Sequence, residues 1–248
     1  MSIVRSEKMG RRDAFLLRRI CMKNRFRVSL TRFEFVLWLA SVLVVSGTAL
    51  LFRTADVLNV TASLIGVTAL IFVAKGHALG QVLTIVFAVF YGVISVKIRY
   101  YGEAITYLGM TAPMALLALI TWLRNPFRDS AEVTVRHLTR RQWCGMTLAT
   151  LLVTAAFYFI LRALGNAALF FSTLSIATSF AASYLTAMRS PYYALAYAAN
   201  DLVLIVLWVL AALADLSAVP MIACFAMFFI NDMYGFINWR RMAKRQQA

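Results

Sequence analysis

The sequence predicts an all-helical membrane protein with eight transmembrane helices. Hydrophobic residues make up 62% of the chain, and its mean hydropathy is +0.77. Charged residues make up only 14%, which is too few for the polar shell of a soluble domain of this length. Eight separate apolar runs also reach the roughly 17–25 residues that a helix needs to cross a bilayer.

The eight predicted spans are separated by short polar linkers, with one longer linker near the middle of the chain. The spans are 33–52, 57–74, 78–97, 104–123, 143–162, 168–187, 193–213 and 218–239. Before them lies a basic segment, 1–32, which is too charged to be a cleavable signal peptide. The long linker, 124–142, begins where Pro126 and several charges end a helix. Residues 240–248 are expected to form a basic tail.

The basic residues predict the orientation. With both termini in the cytoplasm, 21 of the 25 Lys and Arg residues face inward. This distribution follows the positive-inside rule, and it explains the net charge of +15 without nucleic-acid binding. We therefore expect a multi-pass protein of the plasma (inner) membrane.

The segment 1–32 has two interpretations. It mixes arginines with apolar residues such as Phe15 and Ile20, so it could be an interfacial helix that binds anionic lipid headgroups. It could equally be a disordered tail that only sets the topology.

An internal repeat is visible in the aromatic residues. Tyr91 and Trp122 are 31 residues apart, and so are Trp208 and Trp239. A shift of 117 residues therefore lays spans 2–4 over spans 6–8. Because each set has three helices and one helix lies between them, both sets have the same orientation. We expect two parallel three-helix bundles, 57–123 and 168–239, joined by an inverting helix, 143–162, with 33–52 as an additional helix.

Several polar side chains fall inside the spans. An ionised carboxylate at the bilayer centre costs roughly 2.5–3.5 kcal/mol, so Asp201 and Asp232 need partners. Helical spacing places polar and aromatic residues on single faces of spans 3, 7 and 8: Gln81, Tyr91, Tyr197, Asn200, Asp201, Trp208 and Asn231. One interpretation is a water-accessible cavity between the repeats. The other is that the polar groups cross-link helices inside the bundle.

Motifs for nucleotide hydrolysis, dinucleotide binding and metalloprotease or serine hydrolase chemistry are missing from the sequence. We therefore expect neither an enzyme nor a cofactor. A proton symporter that uses Asp201 or Asp232, a membrane enzyme, and a membrane subunit that binds a partner through 124–142 stay open as alternatives.

Three stretches resemble the nicotinamide riboside/nicotinamide mononucleotide transporter family, PnuC. They are GQVLTIVFAVFYGVISVKIRYYGEAITYLGMTAPMALLALITWLRNPF, SPYYALAYAANDLVLIVLW and FFINDMYGFINW. The resemblance implies a fold similar to the SWEET sugar transporters. It also implies facilitated uptake of a small vitamin-like nucleoside, most simply nicotinamide riboside, which is retained after intracellular phosphorylation. Thiamine, riboflavin and deoxyuridine are alternative substrates, and a homotrimer is expected from related transporters.

The resemblance also suggests roles for single residues. Asn200 matches a binding asparagine of the family and Gln81 matches a polar position, so both would hold the ribose or the carboxamide. Tyr197, Trp208 and Tyr91 would supply ring faces, while Asp201 and Asn231 would complete the lining or lock spans 7 and 8 together. Ala196 stands where many members have Trp, which leaves the choice of ligand open.

Overall fold

The structure is a computed structural model that describes residues 29–52, 57–97, 101–128, 130–166, 168–213, 216 and 219–248. The first 28 residues, and with them most of the basic segment 1–32 and its two interpretations, lie outside this range.

The described residues form an all-helical bundle, with two isolated β-bridges and no strands. The fourth helix, α4, consists of three consecutive segments, of which the middle one is a π-helical turn. The helices are α1 (Arg32–Leu51), α2 (Val57–Ala74), α3 (Leu79–Lys97), α4 (Tyr101–Thr106, Tyr107–Thr111 and Ala112–Arg124), α5 (Arg140–Ala163), α6 (Leu169–Ala187), α7 (Tyr193–Ala212) and α8 (Val219–Gln247).

In the described part of the chain, seven helices are long and apolar enough to cross a membrane. The apolar part of α2, Val60–Ala74, is shorter. The prediction of an all-helical protein with several membrane helices is therefore confirmed, whereas the count of eight stays a prediction. Two helices are longer than predicted, because α5 begins at Arg140 and α8 continues to Gln247.

The additional helix α1 is attached to the rest of the bundle by buried polar contacts. The Glu34 carboxylate caps its own helix at Thr31, accepts hydrogen bonds from Lys75 at 2.8 and 2.9 Å, and accepts one from Tyr234 at 2.8 Å. Farther along α1, the Trp38 indole donates to Thr68 of α2 at 3.1 Å. These contacts join α1 to α2 and α8, so α1 is a packed part of the fold.

The turns after α2 and α6 have the same hydrogen bonds. Gly76 N donates to Val73 O at 2.9 Å, and Arg189 N donates to Thr186 O at 3.0 Å. Both turn residues have a left-handed backbone, with φ of 66° and 59°, as at many helix C-termini. These equivalent residues are 113 positions apart, whereas Trp122 and Trp239 are 117 apart. A shift of 117 therefore leaves the two turns four residues out of register, and the repeat stays a prediction.

The linker after α4 joins the two turns. Val133 N donates to Gly76 O and Arg136 N donates to Arg189 O, each at 3.0 Å. The linker is also held by the end of α8, because the Gln246 amide both accepts from Val135 N and donates to Val133 O. We call the end of the bundle that carries these turns and this linker the basic end.

Candidate functional site

A cavity of about 90 Å³ lies inside the bundle. One water molecule needs roughly 10–15 Å³ by this measure, so the cavity has room for several. Its lining combines an apolar wall with amide, hydroxyl, phenol and carboxyl groups. The lining residues come from six helices: Gly66, Ala69, Leu70, Val73, Gln81, Thr84, Phe87, Tyr107, Thr111, Ser179, Thr186, Tyr197, Asn200, Asp201, Phe225, Phe228 and Asp232.

Asn200 is held in the cavity wall by α6. Its side-chain oxygen accepts hydrogen bonds from Ser175 Oγ at 3.1 Å and from Thr178 Oγ1 at 2.9 Å. The residue is 5% exposed, so an unbonded amide here would lose the free energy of a hydrogen bond. Two hydroxyl groups of α6 therefore fix the orientation of this amide.

Asp201 and Asp232 meet in the cavity wall. The two side chains come from neighbouring helices, are 3% and 4% exposed, and are hydrogen-bonded to each other. Apart from the neighbouring carboxyl group, no described residue donates a hydrogen bond to the buried Oδ2 of Asp201. Because an ionised carboxylate accepts hydrogen bonds but cannot donate them, the contact between the two side chains requires a proton on one of them.

Tyr197 and Gln81 complete the polar side of the cavity. The Tyr197 hydroxyl lies 3.0 Å from Ser183 Oγ, and Gln81 is 2% exposed. Tyr107 and Thr111 of the cavity lining belong to the π-helical turn of α4. Such turns widen a helix by one residue and occur often at functional sites.

Three predicted site residues do not line this cavity. The Asn231 amide donates to Ser41 of α1 at 2.9 Å and to Met227 O at 2.7 Å, so it joins α8 to α1. Tyr91 lies beside the cavity, with its ring centre 4.3 Å from that of Tyr107. Trp208 is buried in an apolar cluster with Phe225 and Phe228.

Two groups of aromatic side chains lie on the two sides of the carboxyl pair. The first, toward the basic end, consists of Trp122, Tyr193 and Trp239, and we call it the indole layer. The second consists of Phe87, Tyr91, Tyr107 and Phe228, and we call it the ring layer; its ring centres lie 4.3–6.1 Å apart in neighbouring pairs. The carboxyl of Asp232 is seven residues from Trp239 along α8, or roughly 10 Å at the rise of an α-helix.

Sequence reasoning identifies part of this lining. Asp232 is recognisable as a polar residue inside a span, but the predicted set of lining residues does not include it, whereas in the structure it lines the cavity. Phe87, Phe225 and Phe228 carry no sequence signal that separates them from ordinary core residues, because an apolar face looks the same against a helix and against a cavity. Among the described residues, no group of three His, Cys, Asp or Glu side chains is arranged to hold a metal ion.

A polar cavity inside a bundle of membrane-spanning helices is the arrangement of a multi-pass carrier for a small solute. The comparisons with known proteins give the same class. The model of the nicotinamide mononucleotide transporter family matches residues 56–241. The chain belongs to this family, so it is a membrane transporter and not an enzyme.

Two relatives define the likeness further. The chain is 24% identical over 223 residues to a nicotinamide riboside transporter, PnuC, of Neisseria mucosa, with 88% of this chain and 84% of the relative covered. It also superposes on the crystal structure of the vitamin B3 transporter PnuC with a TM-score of 0.76 at 22% identity, covering 92% of this chain and 98% of that one. The predicted family resemblance is therefore confirmed, and the second comparison shows that the fold is shared.

Proposed function

We propose that the protein carries nicotinamide riboside across the membrane by facilitated diffusion and binds it in the cavity lined by α2, α3, α4, α6, α7 and α8. The observation that carries this proposal is the lining itself. Its amides and hydroxyls match the carboxamide and ribose of the ligand, and its phenyl and phenol rings match a flat cationic ring. The relative from Neisseria mucosa has the same named substrate.

The charge of the lining favours the riboside over the mononucleotide. In the described lining there are two carboxyl groups and no Lys, Arg or His. Proteins recognise phosphate with arginine, lysine or helix N-termini, and carboxylates repel it. A riboside with a positive pyridinium ring therefore fits this cavity better than an anionic nucleotide.

Each polar residue then has a role. Asn200, oriented by Ser175 and Thr178, and Gln81 bind the ribose or the carboxamide. Tyr197 supplies a ring face, and Asp201 completes the polar wall. Asn231, Tyr91 and Trp208 lie outside the lining, and Tyr91 and Trp208 pack against residues that form it, so we assign all three to support of the cavity.

The architecture that we propose has eight spans. Helices α2–α4 and α6–α8 form two parallel three-helix bundles, joined by α5 as in SWEET transporters, with α1 added at one side. The matching turns after α2 and α6 support this arrangement, because equivalent residues of two repeats have equivalent bonds. The basic end is the cytoplasmic end in this proposal, with both termini there and the protein in the inner membrane.

Retention and assembly complete the proposal. A kinase that phosphorylates the riboside inside the cell makes an anion that the acidic cavity does not carry back. The assembly is a homotrimer surrounded by membrane lipids, which light scattering of the detergent-purified protein would test. A mass equal to that of one chain plus detergent would contradict it.

Calorimetry with detergent-purified protein tests the substrate assignment. We expect nicotinamide riboside to bind the wild type, nicotinamide mononucleotide to bind at least about ten times more weakly because the carboxyl groups repel its phosphate, and Asn200→Ala to lose binding. A matched control is Asn125→Ala, since that amide donates to Thr121 O at the end of α4 and lies outside the cavity. Binding of thiamine, riboflavin or deoxyuridine in place of the riboside would change the substrate assignment, but the proposed binding site would stay the same.

The carboxyl pair favours a second candidate, a symporter in which Asp201 or Asp232 takes up a proton together with the substrate. This mechanism predicts that a protonophore abolishes uptake by proteoliposomes and that Asp201→Asn makes uptake insensitive to it. Uptake that persists with the protonophore contradicts symport and agrees with facilitated diffusion.

A further inference from the structure

We propose that Asp201 and Asp232 act as one cation site, which holds a shared proton in the empty cavity and the positive ring of the substrate in the loaded one. This inference rests on the proposed function, because it concerns a cationic ligand in the same cavity. It goes further in naming the group that recognises the positive charge and in predicting that binding releases a proton.

The geometry of the pair supports a single site. The side chains extend from α7 and α8 to the same point of the cavity wall, and they are hydrogen-bonded to each other. One proton is needed for that bond, and apart from the neighbouring carboxyl group no described residue donates a hydrogen bond to the buried Oδ2 of Asp201. A clamp between helices would surround both carboxyl groups with hydrogen-bond donors, whereas these two carboxyl groups depend on a shared proton and line a cavity.

The surroundings contain no fixed positive charge in the described residues that could neutralise the pair. Its titratable neighbours are Tyr107 from α4, Tyr193 and Tyr197 from α7, and Cys224 from α8. Glu103 of α4 in turn faces Tyr107. The cavity residues of α2, α3 and α6 have no titratable side chain. Because phenols and thiols are uncharged at neutral pH, only a proton or a ligand can balance a carboxylate here.

The two cations exclude each other. When the pyridinium ring approaches, its charge replaces that of the proton, and the O–H bond of one carboxyl group breaks with release of H⁺ to water. The affinity for a cationic ligand therefore rises with pH, by up to about tenfold per pH unit when one proton is released. Symport predicts the opposite sign, because there the proton and the substrate bind together.

Calorimetry in two buffers of different ionisation enthalpy measures the released protons directly. We expect the wild type to release about one proton for each nicotinamide riboside bound, since the pair titrates as a unit. The double variant Asp201→Asn with Asp232→Asn should reduce the release to near zero and make the dissociation constant independent of pH. A matched control is Glu132→Gln, a carboxyl group in the linker outside the cavity, which should leave the release unchanged.

Binding of the neutral, reduced form of the riboside tests whether the charge of the ligand or its shape is recognised. It has no positive ring, so we expect it to bind without proton release and with an affinity that does not change with pH. Riboside binding with no proton release in the wild type would overturn the cation site while the substrate assignment stands. Proton uptake on binding would overturn it in favour of symport.

Infrared difference spectroscopy tests the shared proton without any ligand. The wild type should show the band of a protonated carboxyl group that is lost in the double variant Asp201→Asn with Asp232→Asn and retained in Glu132→Gln. If the riboside fails to bind, the proposed function fails, and this band together with binding of the small cation 1-methylnicotinamide still decides the cation site. Absence of the band in the wild type at neutral pH would overturn the inference.

Discussion

The two aromatic layers on either side of the carboxyl pair differ in how they are held together. In the indole layer, Trp122 Nε1 donates to Thr186 O and Trp239 Nε1 donates to Val73 O, each at 2.9 Å. Trp122 of α4 thus bonds to the end of α6, and Trp239 of α8 bonds to the end of α2. In the ring layer, the pairs formed by Phe87 and its neighbours are ring contacts.

The two kinds of contact differ in how strongly they depend on geometry. A hydrogen bond from a buried indole to a buried carbonyl has a preferred geometry, and its loss leaves an unbonded acceptor. Contacts between aromatic rings are broad in angle and distance, so rings can slide without losing their stabilisation at once. We therefore expect the ring layer to move more easily than the indole layer when a substrate passes.

The largest effect should follow from removal of the indole hydrogen bonds. Trp122→Phe and Trp239→Phe keep an aromatic ring but leave Thr186 O or Val73 O without a donor. The loss is roughly 1–3 kcal/mol for each bond, and each kcal/mol lowers the melting temperature of a chain of this size by roughly 2–4 °C. Thermal unfolding of the detergent-purified variants measures it.

A matched substitution in the ring layer is Phe228→Leu. Because it removes no hydrogen bond and keeps an apolar side chain of similar bulk, we expect it to cost less than about 1.5 kcal/mol. Equal destabilisation by Phe228→Leu and by the two indole variants would contradict the difference between the layers. The rings of Trp122 and Trp239 are 5.4 Å apart, so the double variant should depart from additivity.

A smaller effect is expected when a glycine that packs against one of the two layers is replaced by alanine, which adds one methyl group. A Cβ on Gly66 would come within 2.9 Å of the Phe228 ring, and one on Gly235 within 3.0 Å of the Tyr193 hydroxyl. We expect Gly66→Ala to reduce riboside affinity by several-fold, because Gly66 and Phe228 both line the cavity. Gly235→Ala, outside the lining, should leave affinity unchanged and lower the melting temperature.

The control for both is Gly47→Ala on α1, where an added Cβ meets nothing within 4 Å. It reports only the gain in helix propensity, roughly 0.5–1 kcal/mol. If Gly66→Ala binds the riboside as well as Gly47→Ala does, the ring layer does not limit the cavity.

Sequence reasoning is informative where a physical rule is strong and local. Membrane helices follow from the length and hydropathy of a run, so the bounds of most helices could be predicted within a few residues. The same rule explains why Asp201 and Asn200 could be identified as candidates, since polar groups inside a span need partners. Gln81 and Tyr197 follow from helical spacing and from the family resemblance.

Features that depend on contacts between helices could not be predicted. Nothing in the residue order distinguishes Asn231, which bonds to Ser41 of α1, from Asn200, which lines the cavity. The pairing of Asp201 with Asp232 depends on the crossing of α7 and α8, and helix spacing alone does not give that crossing. The four-residue offset of the two turns is also invisible in the aromatic pairs, because these pairs lie on α3, α4, α7 and α8 and not on α2 or α6.

The smallest predicted effect concerns the linker that closes over the indole layer at the basic end. Glu132 of this linker pairs with Arg245 at 2.5 Å. Burial raises the pKa of Glu132, and the guanidinium of Arg245 only partly opposes this. A raised pKa means that the folded protein holds the proton more tightly than the unfolded chain does, so this residue's contribution to stability falls as pH rises through its pKa.

Glu132→Gln should therefore be slightly more stable than the wild type at neutral pH, and the difference should shrink as the pH falls below the pKa of Glu132. Melting temperatures at a series of pH values measure this. Arg245→Gln is the informative partner variant, because it removes the only opposing charge that contacts Glu132 directly among the described residues. It should lower stability at neutral pH and have little effect in acid. If Glu132→Gln is instead less stable than the wild type at neutral pH, the ion pair outweighs the burial of the carboxylate, and the linker strengthens the indole layer through charge.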